Sequence, residues 1–465
     1  MCTCSPSSCG CRRPQGTLLH QVVQDNLGAY LEGHQVRPFV LREFNAFLRC
    51  GDIAGGSATV FCPRCDFSKD VVFSCKRRGW CTYCLEHRML DRSAFLRRSV
   101  LGDTPVRHWV ESFPPPLRYL LAYDSSLTTK VLSIHIHEIF RHLRWKAKRT
   151  LGLSSVNQAH PGAVTVIQRA SANLNLNLHF HSLVTDGVFV HESPDGPVSF
   201  HELPAPTDEE VAEVAWRTCL GTRDVLARLG VWREIPDEPG ETPSPTTIRG
   251  FLSLGPERTH RVVRFCAEAS PQERDEPLER HGAYPFDLWA RERVARGDRK
   301  GLDKLTQYIL NPPFTDEQLR RDAEGRVVLE LKRPRRDGTR EQVFAPEEFV
   351  DKLVNLTPRP RANLIRFHGV YGAHCALRDD VVPKLKKPAS PPTLDDPETA
   401  EDHLAWGNLL RRVHAVDVMR CPRCSSRLLL LSLKCDILTY RRKRGVPPDL
   451  PTAEPQQQDD LPTAA

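Results

Sequence analysis

The strongest constraint on this chain is a pair of Cys-x-x-Cys motifs, Cys62-Pro63-Arg64-Cys65, then 15 residues, then Cys81-Thr82-Tyr83-Cys84. Each motif can turn both sulfurs onto one ion, and two motifs complete a tetrahedron with Zn–S bonds of about 2.3 Å. The spacing therefore predicts a four-thiolate zinc site at Cys62, Cys65, Cys81 and Cys84. The stretch from Cys50 to Cys84, punctuated by Gly51, Gly55, Gly56 and Gly79, is too short to own a hydrophobic core. Zinc would supply the folding energy that burial cannot. Cys50, Cys75 and His87 sit in or beside the same module and are open as further ligands.

Other cysteines are less informative. Cys421-Pro422-Arg423-Cys424 has no matching partner pair, and Cys435 alone does not complete a site. Cys2, Cys4, Cys9 and Cys11 are irregularly spaced. The polar start, Met1 to Pro6, lacks the basic-then-apolar layout of a secretory signal, which places the protein in the cytoplasm. There, clustered cysteines read as metal ligands rather than disulfides.

With 465 residues, 40% hydrophobic and 26% charged, the chain has globular composition. At about 150 residues per domain it has room for roughly three domains. No apolar run approaches the ~18 residues of a membrane span. Lys and Arg total 65 against 58 Asp and Glu, a net +7 compatible with a polyanionic partner without identifying one. Lys69, Lys76, Arg77, Arg78 and Arg88 make the zinc module basic.

Two His-x-His patterns differ in context. His179-Phe180-His181 lies in a β-like run, where residues two apart share a face, so both imidazoles can reach one ion. His135-Ile136-His137 falls in the helical pattern Leu132, Ile136, Ile139, Leu143, where two positions differ by about 200°. That pair reads as surface polar residues. Residues 106–113 and 164–169 read as strands, residues 178–190 as a strand turned at Asp186-Gly187, and residues 301–310 as a helix halted by Asn311-Pro312-Pro313. On that helix Leu302, Leu305 and Ile309 form the core stripe and Tyr308 stands beside it. With a metal-binding His pair, such a tyrosine can attack a phosphodiester.

Several motifs in one order resemble the rolling-circle transposases of the insertion-sequence-ninety-one family. They are residues 50–51 with 73–81 and Arg88-Met89, the run 106–114, the His179-Phe180-His181 strand continuing to Asp186-Gly187, the run 308–313 and the run 366–370. The resemblance implies an α+β fold: an HUH-type antiparallel sheet with flanking helices, preceded by a small helical, zinc-knuckle domain. It also implies Mg²⁺ or Mn²⁺ at His179 and His181, and Tyr308 as the nucleophile that leaves a 5′-phosphotyrosine on single-stranded DNA at the element's termini. Gln168 and Asp186 are loose candidates for a third ligand and are left out of the metal set. Lys76, Arg77, Arg78, Arg359, Arg361 and Arg366 are the expected DNA contacts.

The domains expected on this basis are a Cys-rich tail at 1–16, a zinc-binding, DNA-contacting domain at 17–104 and a nuclease domain at 105–383 with an insertion at about 192–250. A Pro-rich linker at 384–400, a helical segment at 401–448 and a disordered tail at 449–465 follow. One departure is Lys304, which stands four before Tyr308 where many members carry a second tyrosine. The chain thus resembles the single-tyrosine branch. The alternative reading is a catalytically inactive, zinc-dependent DNA-binding relic.

Overall fold

The computed structural model describes residues 14–53, 56–193, 196–234, 247–254, 261–268, 286–334, 337–383, 421–434 and 439–441. Cys2, Cys4, Cys9, Cys11, Cys435, the linker at 384–400 and the tail at 449–465 lie outside them. Two compact units divide the chain: residues 1–48 with 76–405, and residues 49–75 with 406–465. Among the described residues no helix is long and apolar enough to cross a membrane.

In chain order the elements begin with α1 (Leu18–Gly33), α2 (Pro38–Leu48), β1 (Ser57–Phe61), β2 (Ser68–Val72) and α3 (Thr82–Leu96). There follow β3 (Val106–Ser112), α4 (Pro115–Tyr123), α5 (Ser125–Leu151), β4 (Gly162–Ala170), β5 (Leu176–Thr185), β6 (Gly187–His191), β7 (Val198–Glu202) and α6 (Asp208–Arg228). Next come β8 (Trp232–Glu234), β9 (Thr247–Leu254), β10 (Arg261–Glu268), β11 (Asp287–Trp289), β12 (Arg293–Val294) and α7 (Arg299–Leu310). The remaining elements are β13 (Leu319–Arg321), β14 (Val327–Glu330), β15 (Glu341–Phe344), α8 (Pro346–Leu356), β16 (Ile365–Gly369), α9 (Arg378–Val381), β17 (Leu429–Lys434) and β18 (Thr439–Arg441). The fold class is α+β.

The larger unit is built on an antiparallel sheet of order β11-β3-β5-β4-β16, with β12 also pairing β3. Alternation along β5 decides its two faces. Phe180 and Val184 join Leu178 in one core with α4, α5 and α6, whereas Leu183 joins a second core with Leu302, Leu305 and Ile309 of α7. His179 and His181 share Leu183's parity and therefore its face. Each buried Leu or Ile of the α7 stripe is worth roughly 1.5–3 kcal/mol, enough to clamp a short helix onto the sheet. At the end of β16, Gly369 has φ of 58°, and a Cβ there would lie 2.0 Å from the Pro161 carbonyl oxygen, so only glycine fits.

Three local readings are revised. Within the region read as an insertion, α6 buries Val211, Val214, Ala215, Cys219 and Leu226 in the main core. Its acidic Asp208, Glu209 and Glu210 form a first helical turn, where the helix dipole favours negative charge. His137 and His135 do point apart on α5, but His135 is fully buried rather than on the surface, packed near the Phe180 ring. The described part of the C-terminal segment is strand, not helix: β17 and β18 extend a second-unit sheet of order β18-β17-β1-β2.

Candidate active site and metal centres

Strand pairing sets Ser112 and Gln168 on either side of His179, and Val110 and Val166 on either side of His181. These residues line one cavity of about 960 Å³ together with Tyr308. The helix that carries Tyr308 is started by Asp298, whose Oδ1 accepts from the Gly301 N–H at 2.8 Å, and is stopped by Asn311-Pro312-Pro313. Leu302, Leu305 and Ile309 are buried and Tyr308 is 52% exposed, as its place beside the stripe predicts. Its ring centroid lies 5.9 Å from that of His181 and 6.1 Å from that of His108. Gln168 ties the helix end to the sheet, its Nε2 donating to the Ile309 carbonyl at 2.7 Å.

The histidines are prepared as ligands by their outer hydrogen bonds. His179 Nδ1 lies 2.8 Å from the Asn177 carbonyl, which can only accept, so Nδ1 carries the proton and Nε2 keeps its lone pair. A longer relay orients His181. The Glu292 carboxylate accepts from His108 Nδ1 at 3.0 Å, which leaves His108 Nε2 to accept from His181 Nδ1 at 2.8 Å. His181 Nε2 is then also a bare acceptor. Burial pushes all three imidazoles below the usual histidine range. His181 falls to about 2, with His179 and His108 adding to the effect, while the Glu292 bond opposes the shift at His108. Neutral imidazoles whose second nitrogen is already anchored are what a divalent cation needs, so this donor set fits one.

The sequence did not single out His108 or Glu292, which carry no metal-like spacing to each other or to His179. Of the two loosely considered third ligands, Gln168 lines the cavity. Asp186 instead takes Arg107 Nε at 2.7 Å and Nη2 at 3.2 Å, and also Arg293.

The cavity wall is one-sided in charge. Arg78, Arg88, Arg92, Arg169, Lys332 and Arg333 line it, and no acidic residue does among the described residues. Of the expected DNA contacts, Arg78 lies in this wall and donates to the Ala362 carbonyl. Arg359 and Arg361 are exposed, and Arg366 on β16 donates to the Asn363 carbonyl at 3.1 Å. Lys76 is exposed, and Arg77 stands 4.0 Å from Glu43.

The thiols group differently from the spacing prediction. Cys62 and Cys65 close with Cys421 and Cys424 rather than with Cys81 and Cys84, the four sulfurs lying within 4.8 Å of one another. The reason is topological: β1 pairs with β17 as well as β2, so the turn after β1 meets the turn before β17. Cys-x-x-Cys spacing tells which two sulfurs share an ion, but not which second pair joins them. His87 is not part of this set and packs edge-on to Tyr83.

Two family models match parts of the chain. The family model described as "Transposase zinc-binding domain" matches residues 22–113, and a second, a transposase model, matches residues 252–378. No curated protein and no solved structure matches the chain. With zinc-type thiol clusters, a matched zinc-binding domain and a matched transposase region in one chain, the protein belongs to the insertion-sequence-ninety-one family of transposases and carries the family's N-terminal zinc-binding domain.

Proposed function

We propose that this transposase nicks and rejoins single-stranded DNA at insertion-element ends in rolling-circle transposition, with Tyr308 as nucleophile and a 5′-phosphotyrosine link as the intermediate. The observation that carries this reading is the exposed Tyr308 phenol beside two Nε2-presenting histidines, in a cavity whose charged lining is entirely basic. The phenol oxygen bonds to phosphorus, the bond from phosphorus to the 3′ oxygen breaks, the phenolic proton passes to solvent and the 3′ oxygen leaves as a hydroxyl. The phosphodiester is conserved in the link, so a later 3′-hydroxyl can reverse the step without external energy. His179 and His181 would hold Mg²⁺ or Mn²⁺, which when bound supplies withdrawal of charge from a non-bridging phosphate oxygen.

The basic lining favours a polyanion, and an extended single strand offers its backbone without opening a duplex. Arg78, Arg359, Arg361 and Arg366, with Lys76 and Arg77, are assigned to phosphate and base contacts that set register. The test is covalent adduct formation. Labelled single strands from both flanks of the gene are incubated with full-length protein and Mn²⁺ or Mg²⁺, then run on a denaturing gel beside Tyr308→Phe and His179→Ala. A metal-dependent shifted band, lost in both variants, is expected. A band that survives Tyr308→Phe, or no band from zinc-loaded protein that still binds these strands, would refute the proposal. The latter result would favour the inactive DNA-binding relic.

A further inference from the structure

The cysteine pair at 421 and 424 lies outside both matched regions, yet it is built as a copy of the pair at 62 and 65. Both read Cys-Pro-Arg-Cys. In the first, the Cys62 N–H donates to the Phe67 carbonyl at 2.7 Å and the Asp66 N–H to the Cys62 carbonyl at 3.0 Å. In the second, the Cys421 N–H donates to the Ser426 carbonyl at 2.8 Å and the Ser425 N–H to the Cys421 carbonyl at 2.9 Å. The residue after each second cysteine takes the left-handed conformation, Asp66 with φ of 56° and Ser425 with φ of 58°. Neither is glycine, so each turn holds a backbone state that L residues seldom adopt. Two such knuckles of identical sequence and matching turn geometry face each other.

Across them the sulfurs of Cys62 and Cys424 are 3.5 Å apart and those of Cys65 and Cys421 are 3.4 Å apart. A disulfide would require about 2.05 Å. The edge of a tetrahedron with Zn–S of about 2.3 Å is roughly 3.8 Å, close to the observed separations. Cys62 and Cys421 are buried, and among the described residues their apolar cover is a small cluster with Val60, Leu428, Phe67 and Val71. So small a cluster cannot hold two chain segments together by burial alone.

We propose that Cys62, Cys65, Cys421 and Cys424 bind one Zn²⁺ as a closed structural site, a zinc ribbon whose two knuckles come from opposite ends of the chain. The proposal is independent of the nicking chemistry. Elemental analysis of purified full-length protein tests it, with Cys62→Ser/Cys65→Ser, Cys421→Ser/Cys424→Ser and the quadruple variant beside the unaltered chain. Each double variant is expected to lose one zinc equivalent, and the quadruple variant to lose the same one and no more. A Cys421→Ser/Cys424→Ser protein with full zinc content, a quadruple variant that loses two equivalents, or loss of iron instead of zinc would each overturn it.

Folding of the variants is bypassed by alkylating the unaltered, zinc-loaded protein and mapping the labelled cysteines by mass spectrometry. The four thiols should be protected together and become reactive together when a chelator removes zinc. Labelling of Cys421 and Cys424 while Cys62 and Cys65 stay protected would overturn the assignment.

Discussion

Replacing Asp186 with alanine separates a structural carboxylate from a metal ligand. Asp186 opens the turn between β5 and β6 and pairs with Arg107, and the two side chains are each only 7% exposed. Arg107 spends Nε and Nη2 on the carboxylate and Nη1 on the Ala290 carbonyl at 3.1 Å. Without the carboxylate, a desolvated guanidinium keeps one neutral partner. Arg293 loses less, because it is partly exposed and retains Glu202.

Breaking a buried pair from one side costs about 3–5 kcal/mol, since the remaining charge stays buried. At about 2 °C per kcal/mol for a unit of this size, the expected loss is roughly 6–10 °C in the melting temperature of zinc-loaded protein, followed by circular dichroism. Adduct formation measured well below the transition should survive. Removing both charges with Arg107→Leu/Asp186→Leu should recover part of the loss, because no unpaired ion remains inside. A shift under about 2 °C, together with loss of the adduct at low temperature, would refute this account and make Asp186 a cation ligand.

Two further predictions rest on the buried histidines. His108→Ala should slow adduct formation by about 10–100-fold at limiting metal, whereas His108→Gln, whose Oε1 can still accept from His181, should retain most of the rate. A wild-type rate in His108→Ala would remove His108 from the relay. Burial lowers His135 to about 3, with His368 adding to the shift, so the unfolded chain takes up a proton below about pH 6.5 that the folded one refuses. Stability should therefore fall as pH drops from about 6.5 toward 3, and His135→Leu should flatten that slope in urea titrations. An unchanged slope would show that other groups set it.

The parts of the fold written locally were legible in the sequence. The helix carrying Tyr308 is bounded by a capping Asp298 and a Pro-Pro stop, and its stripe fixes which side the phenol takes. Strand parity was likewise enough to put His179 and His181 on one face. What stayed hidden depends on distant residues meeting. His108 joins the site because β3 lies beside β5 in a register that no short-range pattern encodes. His135 looked like a surface residue because its polarity says nothing about the sheet that covers it. The basic cavity lining is drawn from segments near residues 78, 92, 169 and 333, and only the fold brings these distant segments to one wall. The thiol pairing failed for the same reason, because the true partners are over 350 residues apart.

That last separation has a consequence in time. Cys62 is made 362 residues before Cys424. At about 5–20 residues per second, the first knuckle emerges roughly 20–70 s before its counterpart exists. Throughout that interval two thiolates stand open to oxidants, to other metals and to neighbouring chains. A product that terminates before residue 421 never closes them. On this assignment zinc loading at the ribbon reports that synthesis has passed residue 424, so that a prematurely ended transposase differs chemically from a finished one even where its central sheet has already folded.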